Sequence, residues 1–266
     1  MSVTAVAAII VNFRTKELTV AAARSVLSEP EVTELLVVDN GSADGSAEFL
    51  REHLTDSRAR VLANGANDGF GVAVNLGASN TSAPLVLFLN SDAALRTGAI
   101  RRLVADLDGD ERLGMVAPLV LGPDGRSPQI DAFGAFPSWR VMVTRANRRP
   151  TGGADPDWVS GVAILARRRA LDDVGWFDPG FSMYLEDVDL CRRVREKGWA
   201  IRRDTRVAVV HLGGASRRSN RDQDASYHRS LVRYMRRAGY PPWQVWPMER
   251  LHPLWQAVRR WQAVRK

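Results

Sequence analysis

The stretch ELLVVDNGS, residues 34–42, decides the fold. Leu35 to Val38 are apolar without a break, and the run then ends in Asp39, Asn40, Gly41 and Ser42. A strand with one face in water alternates apolar and polar residues, whereas a strand covered on both faces does not. The segment therefore reads as a buried strand leaving the core through a polar turn.

The same signature repeats outward from it. AVAAIIVNF (5–13), ARVLANG (59–65) and PLVLFLNSD (84–92) are apolar runs that stop at small polar residues. Between and after them, ELTVAAARSVLSE (17–29), SADGSAEFLREHL (42–54), GFGVAVNLGASN (69–80) and TGAIRRLVADLDG (97–109) carry helical spacing. Strand–helix units of this length predict an α/β fold with a mostly parallel central sheet and right-handed crossovers. In such sheets ligands bind at the carboxyl ends of the strands.

Those ends carry Asn12 and Phe13, then Asp39 to Ser42, then Asn64, Asn67 and Asp68, then Asn90, Ser91 and Asp92. One polar exit is ordinary turn chemistry; four on one rim point to a polar ligand. Asp39 can accept hydrogen bonds from a base N–H or a ribose hydroxyl, or open an Asx turn. Asp92 suits a hard divalent cation carrying a diphosphate, or a turn before the next helix. The glycines of GFGVAVNLG would admit close backbone approach, but Val74 breaks the G-x-G-x-x-G dinucleotide fingerprint.

The second half reads differently. LGMVAPLVLGPDGR (113–126) is strand and turn, and residues 133–157 show few periodic signals, so a flexible connection is expected there. EDVDLCRRVREKG (186–198) has helix signals, with acids at its start and Gly198 as terminator. Asp187, Cys191 and Val194 fall on one helical face, so Asp187 points inward, where the helix dipole keeps it ionised. Glu186 and Asp189 lie off that face and are expected to be solvated caps. WAIRRDTRVAVVHLGGAS (199–216) is a strand ending at His211, a metal ligand only if this strand returns to the rim holding Asp92.

Composition narrows the class. The chain has 266 residues, 45% hydrophobic and 25% charged, and one cysteine, Cys191, so no internal disulfide forms. MSVTAVAAIIVNF lacks a basic residue before its apolar run and reads as a strand rather than a signal peptide. No stretch approaches the roughly 18 apolar residues of a membrane span. Residues 1–189 balance at −7 and residues 190–266 at +14, giving the net +7. The basic end suggests an anionic partner. At the close of the chain, Leu251, Leu254, Trp255, Val258 and Trp261 recur at helical spacing beside Arg259, Arg260, Arg265 and Lys266. That pattern suits an amphipathic helix on an anionic bilayer, and equally a stripe packed on the domain.

Taken in order, VVDNGSADGS, NDGFGVAVNLG, LFLNSDA, SGVAILARRRALDDVGWFDPGFSMYLEDVDLCRRVREKGW and VVHLGGAS resemble the inverting nucleotide-sugar glycosyltransferases of family two. Within them the chain is most similar to the rhamnosyltransferase-like branch that builds bacterial cell-surface glycans. The resemblance covers roughly residues 5–216. It implies a single GT-A domain over 1–216, with a nucleotide-binding half to about 110 and an acceptor half over 111–216. Residues 217–266 follow as a basic helical extension. By position, the resemblance implies that Asp39 contacts the pyrimidine base and that Asn12, Asn67, Asn75, Asn90 and Asp92 serve the nucleotide-sugar site. Asn90-Ser91-Asp92 stands where the family has its D-x-D metal motif, with Asn in place of the first Asp. Asp92 and His211 would then hold Mg²⁺ or Mn²⁺, Asp187 would be the catalytic base, and Glu186 would support the acceptor.

The implied donor is dTDP-rhamnose, with UDP-sugars open. The implied acceptor is a glycan or a polyprenyl-diphosphate-linked glycan, at the cytoplasmic face of the plasma membrane. Two rival readings explain less. A Rossmann oxidoreductase accounts for strands, glycines and Asp92, but not for EDVDL or His211. A nucleic-acid-binding protein accounts for the basic end alone, with no accompanying motif, so no nucleic-acid partner is expected.

Overall fold

The structure, a computed structural model, describes residues 5–137, 139, 155–213 and 220–250. The stripe from Leu251 to Trp261 lies outside the described residues.

The first half alternates as its sequence predicts. β1 (Val6–Asn12), α1 (Lys16–Leu27), β2 (Val32–Asn40), α2 (Ser46–His53), β3 (Ala59–Asn64), α3 (Phe70–Ala78) and β4 (Leu85–Asn90) run in order. A short β5 (Ala93–Leu95) follows Asp92 directly, ahead of α4 (Ala99–Asp108). The second half adds β6 (Leu113–Leu121), β7 (Phe133–Gly134), β8 (Trp158–Val159), β9 (Ala163–Arg167), α5 (Arg168–Asp172), α6 (Glu186–Glu196), β10 (Ala200–His211), α7 (Asn220–Arg237) and α8 (Pro242–Arg250).

Eight strands form one sheet in the order β3-β2-β1-β4-β9-β6-β10-β5. The first four pair in parallel and β6 pairs in parallel with β10, while β9 and β5 run antiparallel to their neighbours. The apolar runs are continuous because both faces are covered. Leu35, Val37, Leu85, Leu87 and Leu89 pack into one cluster, and Leu36, Val38, Val86 and Phe88 into the other. All nine are at most 1% exposed. Each such burial contributes about 1.5–3 kcal/mol, so a polar residue here would be costly.

Residues 133–157 are not simply a free connection. Phe133–Gly134 pairs antiparallel with Trp158–Val159, which pins both ends of the segment. Residues 138 and 140–154, the middle of it, lie outside the described residues.

Glycines in and before α3 do meet a close neighbour, but it is the protein itself. Gly69, at φ +100°, lies so near the Ser182 carbonyl that a Cβ there would stand 2.6 Å from it. Gly71 would place one 2.8 Å from Phe177. These contacts seat the segment carrying Phe177 and Ser182 against α3.

Candidate active site

A cavity of about 490 Å³ opens at the carboxyl ends of the strands. Asn67, Asn90, Asp92, Glu186, Asp187 and His211 all line it. Residues separated by more than a hundred positions therefore share one space.

Strand register brings Asp92 and His211 together. β10 returns antiparallel along β5, with His211 opposite Ala93, and the Leu212 N–H donates to the Asp92 carbonyl at 3.0 Å. His211 Nε2 then stands 3.2 Å from Asp92 Oδ1. Gln129 holds the histidine twice: its Nε2 donates to the His211 carbonyl at 3.1 Å, and its Oε1 lies 3.0 Å from His211 Nδ1. Gln129 thus fixes the ring's orientation, with Nε2 turned toward the Asp92 carboxylate. Among the described residues there is no cluster of three or more His, Cys, Asp or Glu able to hold an ion. Asp92 and His211 thus set one carboxylate beside one imidazole.

The acids at the start of α6 are held from the opposite wall. Asp187 Oδ2 accepts from the Gly161 N–H at 2.9 Å and Oδ1 from the Val188 N–H at 2.8 Å. Glu186 is not a solvated cap. Its Oε2 is buried without a hydrogen-bond partner, and burial together with the neighbouring Asp187 charge pushes its pKa up to about 8. Asp189 is not solvated either: it is fully buried, with Arg193 at 2.7 Å and Arg237 at 3.1 Å. Helical periodicity treats the side away from Asp187 as surface, yet α7 covers it.

Asn12, Asp39 and Asn75 sit behind the cavity rather than in its wall. In β1 and β2, Asn12 and Asp39 are register partners, and Asn12 Nδ2 donates to Asp39 Oδ1 at 2.6 Å. Both are buried, at 0% and 5% exposure. Asn75 exchanges two hydrogen bonds with the backbone of Phe177, at 2.8 and 3.2 Å.

The sequence profile described as Glycosyl transferase family 2 matches residues 7–175. The chain belongs to that family.

The transferase is also 30% identical to the N-acetylglucosaminyl-diphospho-decaprenol L-rhamnosyltransferase of Mycobacterium tuberculosis (strain H37Rv), over 90% of this chain and 82% of the relative. It is 26% identical to the O-antigen biosynthesis protein RfbC of Myxococcus xanthus, over 79% of this chain but 17% of that one. Among solved structures it is similar to the mannosyltransferase PcManGT from Pyrobaculum calidifontis in complex with GDP-Man and Mn²⁺. There the TM-score is 0.66 at 16% identity, covering 89% of this chain and 64% of that one. At that identity the likeness establishes the GT-A fold.

Sequence reading missed several wall residues of the transferase. Gln129 sits in a turn with no periodic signal. Gly161 appeared only inside the quoted SGVAIL run. Tyr184 and Tyr227 also line the cavity, the latter from α7. Nothing local to YHRS, 227–230, marks it as part of a site.

Proposed function

We propose that this transferase moves rhamnose from dTDP-rhamnose, with inversion, to a hydroxyl of a polyprenyl-diphosphate-linked glycan in cell-surface polysaccharide synthesis. The carrying observation is the shared cavity: Asp92 and His211 meet 3.2 Å apart at one end, and Asp187 lines the same space. The rhamnosyltransferase relative supports the sugar and the lipid-linked acceptor; a UDP-sugar is the second donor to test.

Charge supports a metal. Among the described residues lining the cavity there is no Lys or Arg. The described lining leaves the charge of an entering diphosphate to be balanced by a divalent ion, which Asp92 and His211 would hold. When bound, that ion supplies positive charge to the leaving diphosphate. Asp187, with both oxygens fixed by backbone N–H groups, takes the proton of the acceptor hydroxyl. The bond from that oxygen to the anomeric carbon forms as the bond to the diphosphate breaks, on opposite faces of the sugar. Glu186, kept protonated near neutral pH, donates a hydrogen bond instead of adding a second negative charge beside Asp187.

Among the described residues no helix is long and apolar enough to cross a membrane. The +14 balance of residues 190–266 suits peripheral attachment to an anionic cytoplasmic leaflet. The decisive experiment is a panel of dTDP- and UDP-sugars, each scored by calorimetry and by hydrolysis with and without Mn²⁺. Metal-dependent binding of dTDP-rhamnose supports the reading. Preference for another sugar replaces the donor, and full binding in EDTA removes the metal.

A further inference from the structure

The family match ends at residue 175, well before α7, yet α7 reaches the cavity. Tyr227 lines it, and its ring meets that of Tyr184 edge-on, with centroids 5.9 Å apart and planes at 63°. Tyr184 stands just ahead of the Glu186–Asp187 pair and remains 37% exposed. Tyr184 and Leu185 both adopt left-handed backbone, at φ 70° and 65°, a conformation that side-chain-bearing residues rarely take.

That conformation is held by α7. Ser230 Oγ donates to the Met183 carbonyl at 2.7 Å, beside the strained pair. Arg233 grips both oxygens of Asp178, at 2.9 and 2.7 Å. Arg237 bridges Asp178 and Asp189, each at 3.1 Å. Leu231, Tyr234 and Met235 are fully or almost fully buried in the same contact. Strain that persists only because its surroundings impose it, at the lip of a cavity, is a mark of a binding geometry.

The lining identifies the ligand. Two aromatic rings offer apolar faces, while Asp187 and Glu186 beside them offer groups for hydroxyls. Beside the two tyrosines the described lining presents the Asp187 and Glu186 carboxyl groups and no Lys or Arg, which suits a neutral ring at this end of the cavity. A pyranose ring has both features, with C–H bonds on its face and hydroxyls on its edge.

We propose that Tyr184 and Tyr227 form the wall of an acceptor subsite that seats a pyranose ring and directs one of its hydroxyls to Asp187. The C-terminal helix is then part of the binding site. This rests on the reading of Asp187 as the base of a glycosyl transfer.

The test uses the full chain and water-soluble octyl glycosides, including octyl N-acetylglucosaminide, as acceptor probes. Saturation-transfer NMR should mark the sugar-ring protons, and Tyr227→Ala should weaken binding about tenfold. Tyr227→Phe should restore it, because the ring face is kept. Binding of dTDP or UDP, followed by calorimetry, should hold in both variants and reports that the fold is intact. If no nucleotide or nucleotide sugar binds the unaltered chain, the donor reading fails. If nucleotide binds but Tyr227→Ala leaves probe affinity unchanged, the subsite alone is overturned. Saturation confined to the octyl chain overturns it in favour of an alkyl-binding surface.

Discussion

The two sides of the cavity are assembled over different sequence distances. On the β1–β3 side, Asn12 reaches Asp39 and Asn40 reaches Asn67, each pair 27 positions apart. That is one strand–helix unit, and parallel register alone places Asn12 beside Asp39. Beside Asp92, His211 is held by Gln129 from 82 positions away and lies next to Asn90 from 121. The wall carrying Glu186 and Asp187 likewise depends on α7, whose Ser230 reaches back 47 positions to Met183. A repeating unit positions its own polar exits, whereas the chemistry-bearing side waits for the whole sheet to close.

The sharpest way to break this comparison is at Asp187. Asp187→Asn should cut transfer by ~10²–10⁴-fold, the range for losing general-base assistance, while nucleotide binding stays. Single-turnover rates beside dTDP titrations will show it; near-normal turnover moves the base elsewhere. Next in size is Asp189→Ala, which removes the buried carboxylate that Arg193 and Arg237 share, leaving Arg237 with Asp178 alone. It should cost about 3–5 kcal/mol. Arg60→Ala, on the β1–β3 side, breaks a pair with Glu34 in which the arginine is 50% exposed, and should cost below about 1 kcal/mol. Urea unfolding of both variants measures the contrast, and equal losses would erase it.

A smaller effect is expected at His211. Gln129→Ala frees the His211 ring to turn and to change tautomer, so Mn²⁺ affinity should fall ~10–100-fold, read by electron paramagnetic resonance of free Mn²⁺. Unchanged affinity would mean that strand pairing alone orients the histidine.

A further effect concerns pH. The folded pKa of Glu186, about 8, lies above its ordinary 4.5. Between those values the native state keeps a proton that the unfolded chain releases, so stability falls as pH rises toward 8. Glu186→Gln should flatten that slope and raise the melting temperature by a few degrees at pH 8, with little change at pH 4.5. Thermal melts across this range decide it; an undiminished slope would assign the pH dependence to another group.

The α/β alternation and the polar rim were legible because each strand and helix carries its own signal. Continuous apolar runs meant two covered faces, and Asn, Asp and Gly marked the exits. The condition set on His211, that its strand return to the rim holding Asp92, is met by β5, a three-residue strand too short to read in advance. The solvated placement of Glu186 and Asp189 failed for the opposite reason. Periodicity tells which side of a helix is apolar, but not that a later helix with arginines will cover the polar side.

The sequence by itself determined the family, the sheet and the residue types at the strand ends, since these follow from local pattern and short-range register. Only the tertiary structure decided which of those residues share a cavity and which stand behind it. It alone showed that Gln129 orients His211, that Glu186 is desolvated beside Asp187, and that α7 supplies Tyr227. Each of these depends on segments far apart in the chain being brought within a few ångströms, where burial and hydrogen bonding set the chemistry.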